Sequence, residues 1–108
     1  MLQEFAANNF TDDEGLPAGG NAISVGLSVE WQRGPLKEGP SSDPNGAFVE
    51  TLIAVALQRI EWYQEVNDGK FACDENRWAI ECLNEALRHL DRRTKDRQAR
   101  GVEGTHQA

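Results

Sequence analysis

An α+β fold, in which N-terminal β-strand structure precedes an antiparallel two-helix hairpin and the whole assembles as an oligomer, is predicted from three observations. Residues 21–32 alternate apolar and polar side chains, the period of a strand with one face covered. Residues 46–65 and 74–100 carry apolar side chains at helical spacing and are separated by a short, turn-rich connector. The first of these helices also has more apolar surface than one partner helix can cover.

Taken in order, residues 1–21 mix Asn, Gly and Pro with a "TDDEG" charge cluster, and read as an extended or mobile segment without regular structure. Phe5 and Phe10 are its candidate anchors. Residues 22–33 form the strand region: in "NAISVGLSVEWQ", Ile23, Val25, Leu27, Val29 and Trp31 point one way, and Ser24, Gly26, Ser28 and Glu30 the other. A lone strand leaves backbone donors and acceptors to be paired. Its mate is either the same strand in another copy or residues 1–12 of its own chain. The stretch "RGPLKEGPSSDPNG" holds three prolines and three glycines and makes residues 34–45 a linker.

The first helix spans residues 46–65, with Asp43 or Asn45 near its N-cap and Glu50 in its first turns. At 100° per residue its apolar positions, from Phe48 and Val49 to Trp62 and Tyr63, fill an arc of roughly 220°, against the roughly 100° stripe of an ordinary surface helix. "VNDGKFAC" supplies an Asn-Asp-Gly turn, and Asp74 caps a second helix that runs to Arg97 or Arg100. Ile80, Leu83, Ala86, Leu87 and Leu90 form its core side. Trp78, Cys82 and His89 make a second, semi-apolar stripe away from that core. The hairpin region is thus 46–100 and the tail 101–108, within a single domain overall. The longer second helix is expected to overhang its partner at its basic end, or to meet another chain there.

With 108 residues the chain buries only a modest fraction of its surface, which favours assembly of copies. Its formal charge of −7 argues against general binding to nucleic acid or to an anionic membrane. The charge is unevenly spread: residues 1–87 carry 15 acids and 5 bases, whereas residues 88–108 carry 6 bases and 3 acids. No apolar run approaches the roughly 20 residues of a membrane span, and the N-terminus lacks the regions of a signal peptide. The expectation is a soluble, intracellular protein whose Cys73 and Cys82 are free thiols.

No catalytic centre is expected. Glu61/Glu65 and Glu81/Glu85 are i,i+4 pairs that read as solvated helix surface, and the chain has no P-loop, dinucleotide fingerprint, nucleophile elbow or HExxH motif. Cys73, Cys82 and His89 lack the paired spacing of a structural zinc site, so neither metal nor cofactor is called for.

The C-terminal stretch "RRTKDRQARGVEGTH" has a stronger pattern. Arg88, Arg92 and Lys95 fall at i, i+4 and i+7 on a helix, and Arg93, Arg97 and Arg100 repeat the spacing on a neighbouring row. Cations at a helix C-terminus also complement the macrodipole, and Asp91 and Asp96 offer them ion pairs. Beyond the rows, Gly101 suits the left-handed position that ends a helix, and Gly104 allows a second such bend. Backbone N–H groups, the Thr105 hydroxyl and the His106 imidazole are further donors for phosphate oxygens. Arg side chains add bidentate recognition of phosphate and stack on bases, as Trp31 also can. The candidate ligand-binding residues are therefore Trp31, Arg92, Arg93, Arg97, Arg100, Gly101, Gly104, Thr105 and His106, with copies of this corner meeting near a symmetry axis.

These residues carry a resemblance. The blocks "LSVEWQRGPL", "NGAFVETLIAVALQRIEWYQ" and "FACDENRWAIECLNEALRHLDRRTKDRQARGVEGTH" resemble small proteins of tailed phages, in which "ISxxWQxGPL" precedes a helical hairpin. The hairpin is also similar to that of phage sponge proteins, which disarm CBASS and Thoeris defence by sequestering cyclic nucleotides or cyclic ADP-ribose-type messengers. Proteins of that kind are oligomeric, often hexameric, and bind without cleaving. The resemblance implies a counter-defence protein in the cytoplasm of the infected bacterial host, its partners being its own copies and a nucleotide-derived signal. The alternatives are a protein-interaction module that inhibits a host enzyme, and a small nucleic-acid-binding accessory protein.

Overall fold

The computed structural model describes residues 1–36 and 43–108, so residues 37–42 of the predicted linker lie outside the described residues. The chain forms two compact units: residues 1–48 with 100–108, and residues 49–99. Its order is three strands followed by two helices, an α+β fold.

The first unit is built on an antiparallel sheet of β1 (Phe5–Thr11), β2 (Pro17–Ser24) and β3 (Leu27–Trp31), in that spatial order. Two sequence expectations are corrected here. Residues 1–21, expected to lack regular structure, supply β1 and the first half of β2. Residues 21–32, expected to be one strand, are two strands joined by a tight turn at Val25 and Gly26. Positive φ at the second central residue alone, +78° at Gly26, is the type II pattern that glycine allows. Val25 sits at the tip, 82% exposed.

The turn also changes which residues share a face. Ser24 opposes Leu27, Ala22 opposes Val29 and Gly20 opposes Trp31, and opposed residues point the same way. Ile23 opposes Ser28 instead, on the other face, although unbroken alternation had grouped it with Leu27. Val29 and Gly20 are the buried residues of the sheet. The pairing of β2 with residues 5–11 resolves the choice of mate in favour of the chain's own N-terminus.

The "TDDEG" cluster is a turn. The Asp12 carboxylate accepts from the backbone N–H groups of Glu14 (2.9 Å) and Leu16 (3.0 Å), and the Asp12 N–H donates to the Leu16 carbonyl.

The outer edge of β3 is partly covered by residues 45–47. The Ala47 N–H donates to the Glu30 carbonyl (2.7 Å) and the Gln32 N–H to the Ala47 carbonyl (3.0 Å), a parallel bridge at Trp31. Asn45 reinforces it: its Oδ1 accepts from the Arg33 N–H (2.7 Å) and its Nδ2 donates to the Arg33 carbonyl (3.0 Å). Gly46 is required at this crossing, because a Cβ there would lie 2.5 Å from the Trp31 carbonyl carbon.

The second unit is the hairpin of α1 (Val49–Gly69) and α2 (Asp74–Ala99). Helical dihedrals in α1 stop before Val66, close to the expected end, and Asn67, Asp68 and Gly69 all take positive φ. Asn and Asp tolerate that region better than other non-glycine residues, which is why the Asn-Asp-Gly sequence turns here. Four residues then reach α2, too few for anything but an antiparallel return.

Gln64 clamps this connector. Its Oε1 accepts from the Cys73 N–H (2.9 Å) and its Nε2 donates to the Cys73 carbonyl (3.2 Å). Gln64→Ala removes both bonds and is expected to cost about 1 kcal/mol, since water replaces part of the loss at this exposed position. Gln64→Glu keeps the acceptor alone and should fall between the two in chemical denaturation.

On α2 the half-buried side is Ile80, Leu83, Leu87 and Leu90, as the spacing requires, and it continues through Thr94 to the buried Arg97. On α1, Leu57 is the buried residue, with Ile53 and Ile60 half-buried beside it. Val55, Trp62 and Tyr63 remain 60, 40 and 42% exposed, so a large part of the broad apolar arc stays uncovered within one chain. Trp78 on α2 is 51% exposed. Among the described residues, no helix is long and apolar enough to cross a membrane.

Candidate functional site

The nine candidate ligand residues fall in different units. Arg92, Arg93 and Arg97 belong to the helical unit, whereas Trp31, Arg100, Gly101, Gly104, Thr105 and His106 belong to the sheet unit.

The two basic rows of α2 are thinned by neighbours. Arg88 donates from Nε (3.1 Å) and Nη2 to the Glu85 carboxylate, and Lys95 pairs with Asp91 at 2.9 Å. Arg97 is buried, at 7% exposure. Seven residues separate it from Leu90, two helical turns, so the periodicity that identified the core face also assigns Arg97 to it. Arg92 and Arg93 remain on the exposed surface of the helix.

Glu85 is the pivot of this pairing. The Arg88 hydrogen bond, then the Arg88 charge, hold its carboxyl below the usual carboxylate range, and the His89 and Arg92 charges add to the effect. His89 Nε2 lies 3.1 Å from Glu85 Oε1. A carboxylate pKa depressed by folding contributes stability that is present above the unfolded value and is lost as pH falls through the folded one. NMR titration of the Glu85 carboxyl should give a midpoint below that of an unpaired glutamate, and Arg88→Ala should raise it.

The tail has a defined course. Gly101, two positions beyond the last residue of α2, takes φ +72°, the left-handed turn that ends a helix, and Gly104 takes φ +79°. The Leu36 N–H donates to the Gly104 carbonyl (2.9 Å), and a Cβ on Gly104 would sit 3.5 Å from the Leu36 Cβ. Leu36 follows β3 by five residues, so the tail runs beside the segment that leaves Trp31.

Two expected phosphate donors are engaged within the chain. The Thr105 hydroxyl donates to the Val102 carbonyl and accepts from the Gln107 N–H (3.2 Å), closing the tail's turn. Arg100 Nη2 donates to Ala108 O at 2.9 Å. His106 is exposed and Trp31 half-buried.

A further cluster was not singled out from the sequence. The Arg59 guanidinium lies 4.3 Å from the centre of the Trp62 ring and 5.1 Å from that of Tyr63. The two rings meet edge to face, 5.3 Å apart. The i, i+3, i+4 spacing of Arg59, Trp62 and Tyr63 was the available signal. Cys73 and Cys82 are free and exposed, and no group of three or more His, Cys, Asp or Glu among the described residues is arranged to hold a metal.

No protein-family model matches the chain. Over 80 residues it is 42% identical to Thoeris anti-defense 1 of Bacillus phage SBSphiJ7, an alignment that takes in 74% of this chain and 52% of that protein. The resemblance to a phage anti-Thoeris protein, expected from the tail and hairpin motifs, is thus present, and the chain spans about half the length of the curated relative it matches.

Proposed function

We propose that this chain is a phage counter-defence protein that binds and sequesters a phosphate-bearing nucleotide immune messenger, of the cyclic oligonucleotide or cyclic ADP-ribose type, without cleaving it. The observation that carries the reading is the 42% identity over 80 residues to a protein named for its action against Thoeris. The compartment of action is the cytoplasm of the infected host, where such a messenger is made. Arg92 and Arg93 on the helix supply charged, planar donors for phosphate. Arg100 and His106 supply further donors on the tail, Gly101 and Gly104 shape it, and Thr105 locks its turn. Trp31 offers a stacking surface at the end of β3, and Arg97, buried on α2, is the remaining cation of the proposed set.

The chain works as a homo-oligomer in this reading. The uncovered Val55, Trp62, Tyr63 and Trp78 are apolar or aromatic surface whose burial stabilises assembly, at roughly 25 cal/mol per Å² removed from water. Copies of the same chain are the partners that the small domain size favours.

The test is a thermal melt against a panel of cyclic di- and trinucleotides and cyclic ADP-ribose isomers. One of them should raise Tm by several degrees, because a ligand that binds only the folded state stabilises it by mass action. A flat response across the panel removes the messenger reading. Recovery of the chain in stable complex with one host protein, in place of its own oligomer, replaces it with inhibition of that protein.

A further inference from the structure

We infer that Asn45 is a self-modification site gated by its own hydrogen bonds. Its step to Gly46 forms a succinimide when the contact of residues 45–47 with β3 opens, and hydrolysis to aspartate or isoaspartate then keeps that contact from closing again.

The fold demands both residues of the step. A Cβ on Gly46 would lie 2.5 Å from the Trp31 carbonyl carbon and oxygen and 2.7 Å from the Gln32 nitrogen, all of them backbone atoms. Position 45 is equally constrained, because Arg33 presents a donor and an acceptor to it. A carboxamide accepts from the Arg33 N–H (2.7 Å) and donates to the Arg33 carbonyl (3.0 Å). Packing therefore sets a residue without a Cβ directly after an asparagine, the least hindered sequence for attack on a side-chain amide. It is the only Asn-Gly step in the chain, and the six other asparagines precede residues that carry a Cβ.

The reaction needs no catalyst and no reactant but water. The Gly46 peptide nitrogen bonds to Asn45 Cγ, the Cγ–Nδ2 bond breaks, and ammonia leaves with the proton that the peptide nitrogen gives up. Water then opens the five-membered imide. Opening at Cγ gives aspartate, and opening at the main-chain carbonyl gives isoaspartate, in which the chain runs through Cβ and Cγ.

The native bonds oppose the first step. Attack needs the carboxamide to turn its face to the Gly46 nitrogen and Nδ2 to depart, and both movements break the bonds to Arg33. The backbone on either side is also held: the Asn45 N–H donates to Gln32 Oε1 (2.9 Å) and the Ala47 N–H to the Glu30 carbonyl (2.7 Å). Reaction thus proceeds through local opening of this contact. Asn45 is exposed, so water reaches the imide once it forms.

The product cannot rebuild what was lost. A carboxylate at position 45 has no donor for the Arg33 carbonyl and sets like charges against it. Isoaspartate lengthens the main chain by one carbon, which moves Ala47 out of register with Glu30 and Gln32. Either product frees the edge of β3 beside Trp31, and the change runs one way.

The test follows the full chain in mildly alkaline buffer at body temperature, native and unfolded in urea, by peptide mass spectrometry. Exchange of amide for acid should accumulate at Asn45 and not at Asn21 or Asn84. It should run about 10-fold or more slowly in the native chain than in urea, since each hydrogen bond shifts an opening equilibrium by roughly 2–10-fold. Gln32→Ala removes the acceptor of the Asn45 N–H and leaves the Asn-Gly sequence untouched, so it should speed the native reaction by roughly 2–10-fold. Aged chain, separated from unreacted chain by ion exchange, should melt lower than fresh chain, and Asn45→Asp should melt lower as well. Equal rates in native and unfolded chain, or no acceleration by Gln32→Ala, overturn the gating. An Asn45 that stays intact in urea overturns the site itself, and a modified chain that melts like the parent overturns the loss of the contact.

Discussion

Arg92→Ala combined with Arg93→Ala is expected to weaken messenger binding by roughly 10²–10⁴-fold while leaving the fold intact. Each hydrogen bond from a charged donor contributes about 1.5–3 kcal/mol, and 1.4 kcal/mol is a tenfold change. These two arginines are exposed on α2, whereas Arg88 and Lys95 are paired along the helix and Arg97 is buried. Titration calorimetry with the messenger identified in the thermal screen reads the loss, and unchanged melting of the free variant separates binding from folding. Lys at both positions should restore only part of the affinity, because an ammonium keeps the charge but lacks the planar fork. A double variant that binds as tightly as the parent removes these residues from the site. Thr105→Ala provides the contrast, since its hydroxyl closes the tail's own turn on Val102. Its effect should follow the order of the tail.

Gly20→Ala is expected to be the most damaging single methyl group in the sheet. A Cβ at Gly20 would lie 2.2 Å from the Asn8 carbonyl oxygen and 3.1 Å from the Asn9 Cα, both fixed backbone atoms of the adjacent strand. Its φ of +150° adds strain for any L side chain. The loss should exceed about 3 kcal/mol, which at roughly 4 °C or more per kcal/mol lowers Tm by about 12 °C or more. Gly26→Ala is the comparison: φ is +78° there, but no atom lies within 4 Å of the added methyl. Conformational strain alone should cost about 1–2 kcal/mol. Equal melting of the two variants would show that β1 does not pack on β2 at Gly20.

These expectations depend on features of uneven legibility. The hairpin was readable because helical spacing is redundant: Ile80, Leu83, Leu87 and Leu90 repeat one face four times, and Asn67, Asp68 and Gly69 announce the turn. The sheet was not. "FAANNFT" lacks alternation and contains two asparagines, which are depleted in strands, so only pairing with β2 makes it one. Val25 and Gly26 interrupt no hydrophobic count, and an unbroken alternation therefore ran through a real turn. The parallel contact of Ala47 with Trp31 is non-local and follows a segment rich in proline and glycine, where local pattern has nothing to say.

The candidate site divides the same way. Gly101 was placed by helix-ending geometry, a local rule, and the bend is there. Arg97 belongs by charge to the row of Arg93 and Arg100 and by its two-turn step from Leu90 to the half-buried side of α2, and it is buried in the structure. The Thr105 hydroxyl, an expected donor to a ligand, bonds the Val102 carbonyl here, since a hydroxyl beside a tight turn finds backbone partners within three residues.

A chain that holds a nucleotide messenger and releases it unchanged can be loaded with that messenger, freed of excess ligand by desalting, and denatured by heat. Mass spectrometry of the supernatant should then recover the intact messenger in a fixed ratio to protein. Recovery of a hydrolysed product would make the chain an enzyme, and recovery of no nucleotide at all would rule out sequestration.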